Sequence, residues 1–332
     1  EADGFDRQYR LKDTASFVND LLASLQAGLR GEEQNPYWLV IAGYGAGKSH
    51  LALTCATLLS QPHTELSSVI TQHLKQADTE LGLKVESYLQ QLSQPALVLT
   101  LDGMAGFHLG NALTQAALTQ LKLQGIDTGA ITALSPRFQT AEQFVERNFS
   151  LRADEFAKQL PSCSKEHILV GLQGQDEAIY SVVDLIYSQA NGSPIPLVGQ
   201  ESAQALLDTL CEIYCGSEGP FSSVVILFDE FGRYLEYAAE KPLLAGDSAL
   251  QQIFQGVQDN NQKIRFIGFI QYELKAYLQR FGSSDLRQLQ RYITRFDTAQ
   301  KWYLSTNLET LFAHMIGKQK EQLEILWQST KA

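Results

Sequence analysis

One short stretch, Ala42-Gly43-Tyr44-Gly45-Ala46-Gly47-Lys48-Ser49, carries the densest chemistry in this chain. Glycines at 43, 45 and 47 permit backbone conformations that turn successive N–H groups toward one point, and such a nest binds an anion. A helix starting at Lys48 aims the positive end of its dipole at the same anion. Lys48 is suited to placing an ammonium on the β- and γ-phosphates of a nucleoside triphosphate, and the Ser49 hydroxyl to ligating Mg²⁺. The general pattern is G-x-x-x-x-G-K-[ST]; here Ala42 stands where its first glycine belongs, with Gly43 beside it. The expected ligand is Mg-ATP, bound by Gly43, Tyr44, Gly45, Ala46, Gly47, Lys48 and Ser49, with His50 placed to touch the nucleotide. The Asn-Lys-x-Asp pattern that reads guanine is absent.

A second constellation lies far along the chain. Val224-Val225-Ile226-Leu227-Phe228-Asp229-Glu230 is an apolar run ending in two carboxylates. Asp229 is the candidate metal residue beside Ser49, and Glu230 the candidate general base that polarises an attacking water. Gln271, at the end of a later apolar run, is placed to sit beside a γ-phosphate and report its presence. Arg295 is the candidate arginine finger, a cation that stabilises charge on a neighbouring subunit's γ-phosphate, with Arg291 second and Arg280 and Arg287 nearby. Thr100 and Asp102 are candidates to hold Glu230 in an inactive rotamer.

Such residues need elements to position them. Apolar spacing predicts a helix over 14–29, then strands over 37–42, 96–101, 224–228, 264–270 and 301–304. A helix is expected from Lys48, another over 247–260, and two short ones over 272–281 and 284–293. Thr306-Asn307-Leu308-Glu309 is a capping-box pattern, which opens a terminal helix running to about residue 327. Strands alternating with helices imply an α/β chain, three-layered α/β/α with a parallel sheet. The long separation of Lys48 from Asp229 implies a helical insertion over 103–220, between the second and third strands. The expected organisation is a helical lead-in over 1–35, a core over 36–305, and a lid or linker helix over 306–332.

The order of these residues resembles AAA+ and related P-loop ATPases that place a catalytic glutamate directly after the metal aspartate. Gly45-Ala46-Gly47-Lys48-Ser49 is similar to the AAA+ loop, and Ala42 departs from its first glycine. The segments Tyr44–Leu51 and Phe228–Glu236 resemble the large ATPases of bacterial phage-defence islands, the BREX ATPase among them. That resemblance implies a homo-oligomer with other subunits of a defence complex, acting on DNA through partners or further domains. It also implies a longer protein, and the chain opens at Glu1 rather than Met. An alternative is a nucleotide-gated scaffold that binds ATP, hydrolyses little of it and orders a partner-binding surface.

Composition narrows the partners. The chain has 332 residues, 44% of them hydrophobic, and a formal net charge of −11. No basic stripe suited to phosphate neutralisation is visible, so direct nucleic-acid binding is not expected. No run of 18 apolar residues and no signal-peptide pattern appears, so neither a membrane span nor a secretory leader is expected. Cysteines at 55, 163, 211 and 215 form no disulfide framework, which fits a reducing cytoplasm. The spacing of Cys211 and Cys215 suits one half of a metal site, but no second Cys/His pair matches it, and helix packing is the expected role.

Overall fold

The structure is a computed structural model that describes residues 5–161, 163–195, 202–216, 218–246, 248–278, 290, 294 and 296–304. It opens with helix α1 (Phe5–Leu29), strand β1 (Tyr37–Ile41), and helices α2 (Lys48–Ser60), α3 (Glu65–Ala77) and α4 (Thr79–Gln91). Strand β2 (Leu97–Asp102) leads into α5 (Leu109–Leu123), α6 (Gly129–Thr132), α7 (Pro136–Asn148), α8 (Ala153–Gln159), α9 (Lys165–Gln173), α10 (Glu177–Asn191), α11 (Ala203–Thr209) and a π-helical turn, Leu210–Tyr214. Then come β3 (Val224–Asp229), α12 (Phe231–Glu240), α13 (Pro242–Ala245), α14 (Ala249–Asp259), β4 (Ile264–Ile270), α15 (Leu274–Leu278) and β5 (Gln300–Tyr303).

The five strands form one sheet in the order β2-β3-β4-β1-β5, and every pairing is parallel. Strands buried on both faces read as continuous apolar runs, which is why Tyr37-Trp38-Leu39-Val40-Ile41 and Val224-Val225-Ile226-Leu227-Phe228 show no alternation. The two faces still sort by parity. Leu39, Leu99, Ile226, Phe228 and Phe266 face one core with α5, α11, α12 and α14. Trp38, Val40, Val98, Leu227 and Phe269 face the other with α1, α2, α3 and α4. Helices therefore cover both faces of a parallel sheet.

Short polar side chains set the helix boundaries. Asp78 closes α3 by donating its N–H to the Leu74 carbonyl (2.9 Å), and its carboxylate opens α4 by accepting from the Leu81 N–H (3.1 Å). Asp176 caps α10 through the Ala178 and Ile179 N–H groups.

The region 103–220 has two parts. α5, α6, α11 and the π-helical turn contribute Leu113, Leu118, Ile131, Leu207 and Tyr214 to the core beneath the sheet. α7 to α10 instead close on a separate core around Phe138, Phe144, Phe156, Ile168, Leu172 and Val183. Only the second part is a subdomain in the packing sense.

Most expected elements are present with ends shifted by one to three residues. α1 begins at Phe5 rather than 14. α12, which follows Asp229-Glu230 at once, was not expected. The helix over 284–293, the terminal helix from Thr306, and Arg280, Arg287, Arg291 and Arg295 lie outside the described residues.

Candidate functional site

Three strand tips meet at the carboxyl end of the sheet. β4 lies between β1 and β3, so Gln271, directly after β4, falls between the loop that follows β1 and the carboxylates that follow β3. Open parallel sheets carry their ligand crevices at this end.

The loop leaves the sheet one residue later than the motif suggests. Ala42 is buried, and its N–H still donates to the Ile270 carbonyl (3.1 Å), so it extends β1 and needs no glycine. The left-handed backbone sits at Gly45 (φ 75°) and Gly47 (φ 89°), while Gly43 is not in that region. A methyl group added at any of the three would meet nothing within 4 Å, so the concavity stands open. Gly47 caps α2 without a side-chain hydrogen bond, and the first turn of α2 holds no acid. Its leading N–H groups are thus left to an external acceptor.

Lys48 is buried, and its Nζ donates to the carbonyls of Ala42 (2.9 Å) and Gly43 (3.1 Å) across the mouth of the loop. Ser49 faces the other way. Its hydroxyl donates to Asp229 Oδ2 at 2.6 Å, across 180 residues of sequence. Tyr44, Ser49 and His50 are exposed.

The second carboxylate is held differently. Glu230 has φ 49° and ψ 34°, a left-handed conformation uncommon for a residue with a side chain and costing on the order of 1 kcal/mol or more. The structure around it supports that backbone. Its N–H donates to Asp229 Oδ1 (2.9 Å), and its carbonyl accepts from the N–H groups of Arg233 (3.0 Å) and Tyr234 (3.2 Å), the first turn of α12. Gly103 packs beneath it, its N–H donating to the Asp229 carbonyl (2.9 Å). Gln271 Nε2 donates to both Glu230 carboxylate oxygens (3.1 Å each), and Arg233 Nε lies 3.6 Å away. The Gln271 N–H in turn donates to the Tyr277 hydroxyl (3.3 Å). Burial pushes that phenol above its ordinary range, so it stays protonated.

The structure thus brings Lys48, Ser49, Asp229, Glu230 and Gln271 to one crevice. Gln271 reaches Glu230 rather than waiting apart from it. Asp102 pairs in register with Asp229, and its carboxylate accepts from the Met104 N–H (2.9 Å); Gln271 and Arg233 are the side chains that hold the Glu230 carboxylate. Arg233 and Gly103 were missed by sequence reasoning. The signal for Arg233 was available. Phe231, Tyr234, Leu235, Ala238 and Ala239 recur at helical spacing, and a helix starting there puts Arg233 within one turn of Glu230.

The residues present suit Mg-ATP: an open loop of N–H donors, a buried lysine across it, and a hydroxyl and carboxylate 2.6 Å apart as hard oxygen ligands. Among the described residues no cluster of three or more His, Cys, Asp or Glu stands ready for a metal, and Cys211 and Cys215 are buried and unbridged. No helix among them is long and apolar enough to cross a membrane. Comparison with protein-family models, with curated proteins and with solved structures finds no match for this chain.

Proposed function

We propose that this chain is an AAA+-like P-loop module that binds ATP and hydrolyses it. The observation that carries the reading is the Ser49 hydroxyl seated on Asp229 at 2.6 Å, with Glu230 next in the chain and Lys48 at the loop mouth. Nothing in a glycine-rich turn alone requires a carboxylate strand tip to meet the residue after its lysine.

In this reading the loop N–H groups of 43–49 hold the phosphates, and Lys48 exchanges its two carbonyl partners for phosphate oxygens. Ser49 and Asp229 would hold Mg²⁺, which offsets charge on the phosphates. Glu230 accepts a proton from water as the water oxygen attacks the γ-phosphorus and the bond to ADP breaks. Gln271 orients the Glu230 carboxylate. Arg295 is retained as the finger supplied by a neighbouring copy, which makes the active form an oligomer. Service in a larger bacterial defence complex acting on DNA rests on the resemblance of Tyr44–Leu51 and Phe228–Glu236.

The test is ATP turnover per protomer across a wide range of protein concentration, with and without duplex DNA, beside Lys48→Ala and Glu230→Gln. Turnover that rises with concentration and disappears in both variants is the expected result. ATP binding with no turnover under any condition would replace hydrolysis by the nucleotide-gated scaffold. Absence of ATP binding would end the proposal.

A further inference from the structure

Tyr277 has no part in the chemistry proposed above, yet it touches both elements that hold the candidate base. It lies on α15, a helix of 5 residues that follows the β4 tip, and it is 4% exposed. Phenylalanine would serve for apolar contact alone, so what the buried hydroxyl does is the informative feature.

The hydroxyl meets the chain where it leaves the sheet. β4 ends at Ile270, whose carbonyl still accepts from the Ala42 N–H (3.1 Å). Gln271 is the first residue beyond the strand, and its N–H donates to the Tyr277 hydroxyl oxygen (3.3 Å). The Tyr272 N–H turns to the same oxygen. Two successive backbone donors that converge on one oxygen fix the direction in which the tip leaves the sheet. The Gln271 side chain starts from that fixed backbone, and its Nε2 sits 3.1 Å from each Glu230 carboxylate oxygen.

The ring meets the other element. A methyl group at Gly232 would lie 2.2 Å from the Tyr277 hydroxyl oxygen, 2.3 Å from Cζ and 2.8 Å from Cε1. An ordinary carbon–carbon contact needs roughly 3.5–4 Å, so the ring lies directly against the backbone of the first turn of α12. Gly232 stands two residues after Glu230, in the turn whose Arg233 and Tyr234 N–H groups donate to the Glu230 carbonyl. The glycine of Phe228-Asp229-Glu230-Phe231-Gly232 is thus required by a side chain that arrives from beyond β4. The amide and the carboxylate reach each other from two backbones, and Tyr277 is in contact with both.

We propose that Tyr277 is a positioning residue for Glu230: its hydroxyl sets the β4 tip from which the Gln271 amide reaches the carboxylate, and its ring seats that tip on the turn that carries Glu230. The effect on a rate rests on the ATPase reading; the alignment of Gln271 on Glu230 does not. With phenylalanine at 277 the two N–H groups lose a shared acceptor in a buried place, and the tip turns toward other acceptors. The amide then leaves the carboxylate, while the loop at 43–49 stands on β1 and keeps its geometry. Because Tyr277 acts through Gln271, its contribution vanishes when that amide is gone.

The test is a double-mutant cycle on the full chain, read as single-turnover ATP hydrolysis with ATP affinity measured alongside. Tyr277→Phe is expected to slow hydrolysis about tenfold and to leave affinity within about twofold. In the Gln271→Leu chain the same substitution is expected to slow it by less than about twofold further. A merely structural tyrosine would slow both chains by the same factor, and that result overturns the proposal. So does an unchanged rate in Tyr277→Phe alone, or a loss of affinity as large as the loss of rate.

A second readout needs no turnover. The Gln271 side-chain amide gives proton–nitrogen NMR signals, identified by their loss in Gln271→Leu. Tyr277→Phe, and Gly232→Ala, which displaces the ring but keeps the hydroxyl, are each expected to move them. Signals that stay in place in Tyr277→Phe overturn the alignment. If they move as expected while the unaltered chain shows no turnover, the ATPase reading fails and the alignment stands.

Discussion

Gly103→Ala is the substitution on which the geometry of the crevice makes its sharpest claim. Gly103 follows β2, its N–H bonded to the Asp229 carbonyl, and its Cα faces the backbone of Glu230. A methyl group there would lie 2.4 Å from the Glu230 carbonyl oxygen, 3.0 Å from the Glu230 carbonyl carbon and 3.0 Å from Tyr234 Cβ. An ordinary carbon–oxygen contact needs roughly 0.8–1 Å more, and these neighbours cannot rotate away as a side-chain tip can. Either the β2 tip or the left-handed turn at Glu230 must give. Overpacking of this kind costs about 1–3 kcal/mol, enough to read in an equilibrium urea titration. Displacing the base by about 1 Å costs on the order of 100-fold in turnover. ATP affinity should hold, because the loop at 43–49 stands on β1, two strands away from β3.

Gly43→Ala is the control, since a methyl group there meets nothing within 4 Å and the backbone is not left-handed. It should leave stability within about 0.5 kcal/mol. If Gly103→Ala keeps both stability and turnover, the account of how Glu230 is held is wrong.

Gln271→Leu removes the donor to both Glu230 oxygens, so single-turnover hydrolysis should fall by roughly 10–100-fold, about 1.4–2.8 kcal/mol, with ATP affinity little changed; an equal loss of affinity would contradict a positioning role. Arg265 is wholly buried beneath α1 and donates to the Ser24 and Asn261 carbonyls (2.5 Å each), the Ile264 carbonyl (2.7 Å) and Ser24 Oγ (2.8 Å). Arg265→Met should strand those carbonyls and lower stability by about 3 kcal/mol in urea titrations, and an unchanged midpoint would show that they find other partners. Burial pushes the thiols of Cys55 and Cys215 from 9.0 up to about 12, and raises Cys211 as well. Above pH 9 the unfolded chain loses these protons while the folded chain keeps them, so stability should fall as pH rises from 9 toward 12, by about 1.4 kcal/mol per unit for each thiol. Cys55→Ala should flatten that slope in denaturation curves between pH 8 and 11, and an identical slope would refute the assignment.

The sheet was legible because a doubly covered parallel strand is apolar nearly throughout, as 224–228 is and as 264–270 is apart from Arg265. Ser49 and Asp229 could be paired in advance because one strand tip must face the loop for the motif to work. Glu230 was legible as a residue but not as a conformation. Nothing local in Phe228-Asp229-Glu230-Phe231 announces a left-handed backbone at a glutamate, since it is imposed by α12 starting without a linker and by Gly103 from another strand. The long helical region was harder for a related reason. α5 and α7 show similar apolar spacing, yet one packs under the sheet and the other closes on α8 to α10. Helical periodicity records that a face is buried and says nothing of what buries it.

That same difference bears on how the molecule works. Glu230 is tied on one side to Gln271 at the tip of β4 and on the other, through α12 and Tyr234, to the Ala245 carbonyl at the end of α13. A shift of α12 by a fraction of an ångström would move its backbone, because Gly103 leaves no slack beneath it. Packed interfaces respond to such shifts by changing state rather than by bending. On the ATPase reading proposed above, Glu230 is the residue at which a shift of α12 would register with the nucleotide.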